Sequence, residues 1–168
     1  KMKKFLPIPA ICILALLAGG LLWYTRPRSF WEATGMERDS ITGASGVSIE
    51  ISIQDRHLTM HAWEMDILTP GQEDYEALLA LLEGTTYRAS LRNFLPPSLS
   101  NTSRGVTVTA EAGFALGDEL VTVSANSPGK VWVFSLGDDR SLVLSVSPRD
   151  LNEALADFLQ QRGVLVDS

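Results

Sequence analysis

The spacing of apolar positions changes repeatedly along this chain, and each change predicts an element. Residues 5–24, FLPIPAICILALLAGGLLWY, form an uncharged run of twenty. A helix of about 20 apolar residues matches a bilayer core of about 30 Å. Lys1, Lys3 and Lys4 precede the run, Arg26 and Arg28 follow it, and Trp23 and Tyr24 suit a headgroup boundary. From residue 47 the spacing becomes two. Val47, Ile49, Ile51 and Ile53 alternate with Ser48, Glu50, Ser52 and Gln54, which predicts a strand half-buried on the first set. Asp55-Arg56 reads as a tight turn, and a second strand follows over about 58–68.

The spacing then lengthens to that of a helix. Tyr75, Leu78, Leu79 and Leu82 recur at i, i+3, i+4 and i+7. Thr69 is the expected N-cap, with Pro70 in the first helical position and Gln72 completing a capping box. Gly84 closes this helix, residues 85–91 suit a strand, and 93–105 a long loop. Short strands are expected near 106–111, 120–123, 131–134 and 142–146, separated by Gly117-Asp118, Asn126-Ser127-Pro128-Gly129 and Gly137-Asp138-Asp139. Such short connections predict an antiparallel meander. Ser147-Pro148 opens a second helix with Leu151, Ala154, Leu155, Phe158 and Leu159 inward, and Gly163 ends it.

These elements predict an α+β protein: an N-terminal transmembrane helix, then an antiparallel sheet of about six strands with two amphipathic helices packed on one face. The expected boundaries are a cytoplasmic basic start at 1–4, the anchor at 5–24, a linker at 25–40 and an extracytoplasmic domain at 41–168. Stretches 41–53, 73–87 (with its Leu-Leu pair and Tyr-Arg ending) and 142–159 resemble those of small single-pass, membrane-anchored extracytoplasmic proteins of Gram-positive bacteria, a family without an assigned role. That resemblance covers most of the outer domain and implies its layout. It brings no catalytic residue.

Charge sharpens the division at the anchor. Residues 1–28 hold five bases and no acid, whereas 29–168 hold nine bases and twenty acids, a balance of −11. An acidic body argues against nucleic acid as a partner. Cys12, inside the apolar run, is the only cysteine, so the outer domain forms no internal disulfide.

Candidate chemistry is sparse. His57 and His61 are the only histidines, and on a helix both would share a face with Glu64. A divalent metal held by His57, His61 and either Asp55 or Glu64 is therefore one reading, with a metal-assisted hydrolase as its consequence. No Glu directly follows His57, so the metalloprotease pattern is missing. The chain has no G-x-S-x-G and no phosphate-cradling loop with its lysine. No catalytic residue and no cofactor are expected. Trp63, Tyr87, Arg88 and Trp132 form the candidate binding surface, with large aromatics beside a base. The leading expectation is a membrane-tethered extracytoplasmic binding or structural module. Its partners would be the bilayer, through 5–24, and an envelope protein or a peptide added along a free sheet edge. No small molecule is identified. A cleaved, secreted domain is the remaining alternative.

Overall fold

The computed structural model describes residues 8–54, 57–94, 107–136 and 141–166. The Asp55-Arg56 and 137–139 turns and most of the 93–105 loop lie outside the described residues. Four helices and eight strands follow in the order α1 (Ile8–Tyr24), α2 (Phe30–Thr34), β1 (Gly43–Gln54), β2 (His57–Leu68), α3 (Glu73–Glu83), β3 (Thr86–Ala89), β4 (Thr107–Leu116), β5 (Glu119–Ser127), β6 (Lys130–Leu136), β7 (Ser141–Ser147), α4 (Leu151–Arg162) and β8 (Val164–Val166). The strands form one antiparallel sheet in the order β3-β7-β6-β5-β4-β1-β2-β8. The protein is thus α+β. The expected hairpin and meander are present as β1–β2 and β4–β7. The two additional pairings, β3 on β7 and β8 on β2, occupy the edges.

Helices α3 and α4 carry the chain between those edges, across one face of the sheet. Tyr75, Leu78, Leu79 and Leu82 are the buried stripe of α3, as the i, i+3, i+4 spacing predicts. In α4 the buried positions are Leu151, Asn152, Leu155, Ala156 and Leu159. Both helices begin later than their capping patterns suggest. Gly71 has φ 90°, which makes Thr69-Pro70-Gly71-Gln72 a turn. Gln72 still reaches back, its Oε1 accepting from the Thr69 amide at 2.7 Å, but the helix starts at Glu73. At α4 the Ser147–Pro148 peptide is cis, and helix begins three residues on, at Leu151.

The first strand is turned over relative to its sequence pattern. The β1–β4 register pairs Ala44 with Phe114, Gly46 with Ala112 and Ser48 with Ala110, all on the helix-covered face. Val47, Ile49 and Ile51 therefore line the opposite, open face, where they are half-buried. The side chain of Ile53 lies outside the described residues. The physical reason is helix clearance. A Cβ on Gly46 would fall well inside contact distance of Leu159 Cδ2 on α4, so position 46 on that face has no room for a side chain while Leu159 stays where it is.

The stretch expected as a linker, 25–40, is instead part of the folded domain. Ser29 caps α2 in a reciprocal box. Its Oγ accepts from the Glu32 amide at 3.3 Å, and Glu32 Oε2 accepts from the Ser29 amide at 3.4 Å. Gly35, at φ 75°, ends the helix. Phe30, Ala33 and Met36 are buried in the core. Before α2, Arg28 pairs with Tyr87 as an isolated bridge, with N···O distances of 2.8 and 3.0 Å. That bridge covers the outer edge of β3.

The apolar run forms a helix from Ile8, but its end at Phe5, Leu6 and Pro7 lies outside the described residues. Seventeen residues of α1 measure about 25 Å at 1.5 Å per residue. Among the described residues no helix is long and apolar enough to cross a membrane.

Candidate functional site

The sequence-predicted residues fall on different faces of the sheet. Register pairs Trp63 with buried Ser48 on the helix side of β2, and its ring centroid lies 6.0 Å from that of His61. Trp132 stands between Ser124 and Val143 on the open face. Arg88 shares that open face, paired with Ser145, which in turn faces Lys130. Trp132, Arg88 and Lys130 are therefore brought onto one side, and Trp63 is not. Tyr87 belongs to neither surface. It is 0% exposed, with its ring 5.6 Å from Phe30 and its hydroxyl donating to Leu82 O at 3.0 Å. The alternation of β3 turns Tyr87 inward and Arg88 outward, so Tyr87 is core and not the rim of a surface.

Burial pushes the Tyr87 hydroxyl well above its ordinary range, with a smaller opposing pull from the Thr85 side chain. In an unfolded chain tyrosine ionises near pH 10. The folded state therefore holds its full Tyr87 contribution below about pH 10 and loses it progressively as pH climbs from there through the raised folded value. Tyr87→Phe should cost about 1 kcal/mol at neutral pH through the lost hydrogen bond. It should also make the decline above about pH 10 shallower. Urea midpoints measured from pH 8 to 11 check both effects.

Of the expected metal ligands, His61 and Glu64 are not brought together. In a strand, His61 and Glu64 are three apart and point to opposite faces, whereas a helix would have joined them. The His57 side chain lies outside the described residues. Among the described residues no three His, Cys, Asp or Glu side chains group closely enough to hold a metal.

A concave site forms elsewhere, where the end of α2 overhangs the ends of β4–β7. The cavity measures about 740 Å³, within the usual range for small-molecule sites. Its floor is apolar: Ala33, Met36, Leu116, Val121, Val133 and Leu142. Its rim is polar, with Glu32, Thr34, Glu119, Ser135 and Ser141. The cavity exists because α2 is short. Gly35 turns the chain away after five residues and leaves this end of the sheet without a helix above it.

The rim is partly engaged within the chain. Glu32 Oε1 lies 3.3 Å from Arg26 Nη2, Thr34 Oγ1 donates to Phe30 O at 2.9 Å, and Ser135 Oγ donates to Glu119 Oε1. Its described lining contains two carboxylates and no Lys, Arg or His. Such an arrangement can hold an apolar body beside a polar or cationic group. Of its hydroxyls, Ser135 is paired with the Glu119 carboxylate, and no histidine stands among the described lining residues.

Sequence reading did not find this site. Its residues come from one helix and four strands and share no local spacing. One signal was present: Ser29-x-x-Glu32 with Gly35 is a capping box and a C-cap six residues apart, which marks α2 and hence the overhang. No family model, no curated protein and no solved structure matches the chain.

Proposed function

We propose that this chain is a membrane-tethered binding module. Residues 5–24 enter the bilayer, and the sheet domain stands outside the cell with its cavity close to the lipid surface. The observation that carries this reading is the surface of α1. The helix is apolar around its whole circumference, and Leu16, Leu22 and Trp23 are 77, 73 and 65% exposed. A helix of that kind is normally buried in a core or in lipid, and the domain leaves nearly all of it uncovered.

The end of the helix supports the same reading. Arg26 and Arg28 stack over the Trp23 ring, with guanidinium carbons 5.6 and 5.7 Å from its centroid. An aromatic girdle with snorkelling bases is the usual composition of a membrane boundary. Tyr24 ties that boundary to the domain, because Asn93 Nδ2 donates to its hydroxyl at 3.0 Å. The cavity begins at Glu32, eight residues beyond Tyr24. Three lysines ahead of the run favour keeping the short N-terminal side in the cytoplasm.

The full chain should therefore stay with vesicles through an alkaline carbonate wash, at its intact mass. A Leu16→Glu, Leu17→Glu variant should be released at least tenfold more readily. Release of the intact, unsubstituted chain by the wash would end the proposal. A shortened chain recovered in the medium would replace the tether with a cleaved, secreted domain.

A further inference from the structure

We propose that β8 is a pairing edge, and that its partner is β8 of a second copy of this chain. The two ends of the sheet are treated differently. At the β3 end, backbone groups are covered. Arg28 bridges Tyr87, and beyond β3 the Asn93 side chain takes both backbone groups of Val143, at 2.9 and 3.1 Å. At the other end, β8 is three residues long and covers β2 only at Ala62, Trp63 and Glu64. Neither β2 nor β8 contains Lys, Arg or Pro, the residues that ordinarily blunt a sheet edge.

Exposed apolar side chains collect at the same end. Outside α1, ten large apolar residues are exposed among the described residues, and six of them are Leu58, Met60, Ile67, Val164, Leu165 and Val166. Such a concentration beside a sheet edge that pairs with no further strand among the described residues marks an interaction surface.

A second copy fits this edge by symmetry and by charge. A two-fold axis through Leu165, perpendicular to the sheet, pairs β8 with β8 antiparallel, which continues the antiparallel order of the sheet. Leu165 then faces Leu165 of the partner subunit, and Val164 faces Val166 of the partner subunit. Apolar residues meet on both faces. Glu64, which lies beside Val164, comes into line with Ala62 of the partner subunit, so no carboxylates oppose one another. Three residues a side is far less than the roughly 800 Å² per partner of a stable soluble complex. The contact rests on the tether proposed above, which confines copies to one surface and raises their effective concentration.

The test uses the full chain with Cys12→Ser and Leu165→Cys in phosphatidylcholine–phosphatidylglycerol vesicles, floated on a density gradient and then oxidised with copper phenanthroline. Disulfide dimers should exceed by at least tenfold those of a Thr86→Cys control at the β3 edge. Chains carrying Val164→Cys should cross-link to chains carrying Val166→Cys more than either does to itself, with far-UV circular dichroism confirming the fold. Floating chains that cross-link at 165 no more than at 86, or without the 164–166 preference, overturn the pairing and leave the tether standing. Chains that do not float remove both.

Discussion

Replacing Phe30 by alanine should destabilise the domain by about 3–5 kcal/mol, the range for emptying a closed core site of a large aromatic. Phe30 is 0% exposed. Its ring lies 4.9 Å from Trp31, 5.6 Å from Tyr87 and 6.0 Å from Phe114, which ties α2 to β3 and β4 at one point. Edge-to-face and tilted contacts of this kind add to the area term. Neighbours held by the sheet cannot close the space left behind. In a linker the same substitution would cost within about 0.5 kcal/mol. Urea unfolding of the full chain in detergent, followed by fluorescence, distinguishes the two. A change under 1 kcal/mol would detach α2 from the core and with it the overhang that makes the cavity.

The contrast between Phe30 and Leu79 shows what a sequence discloses here. Leu79 belongs to a repeating stripe on an eleven-residue helix, so its burial is legible from spacing alone. Phe30 sits in a five-residue helix, less than two turns, where no period can emerge. Only the caps, Ser29, Glu32 and Gly35, announce that helix. Strand order was opaque for a related reason. The meander follows from short turns, but β3 and β8 reach opposite edges because α3 and α4 cross the sheet, and long connections encode no destination. The cavity inherits both difficulties. Glu32 is placed by a cap and Glu119 by a strand end, 87 positions along the chain, so only the assembled sheet brings them to one rim. His61 and Glu64 show the converse: a suggestive spacing dissolved once the segment proved to be a strand.

Gly46→Val should cost about 3 kcal/mol, at the upper end of the range for overfilling a packed core. The same experiment decides which face of β1 is inside. By alternation alone Val47, Ile49 and Ile51 are the buried set, because they are the apolar one. In the structure Ala44 and Ser48 are the buried residues, and Gly46 shares their face, opposite Phe114, Ala112 and Ala110 on β4. Small residues at 46, 48, 110 and 112 leave a trough beside Phe114, and Leu159 of α4, itself 0% exposed, descends into it over Gly46. A branched side chain at 46 must either displace Leu159 or lift α4, because the new Cβ is already in contact with Met65 Cε and Glu111 O, each 3.4 Å away. Ile49→Thr keeps the β-branch on the half-buried open face and should cost under about 1 kcal/mol. If the alternation were the better guide, the order would reverse. A polar group at 49 would then enter the core at several kcal/mol, and valine at 46 would face solvent at almost none. Parallel urea titrations of the two variants give the sign directly, because the expected difference is several times the extrapolation error for a domain of ordinary stability.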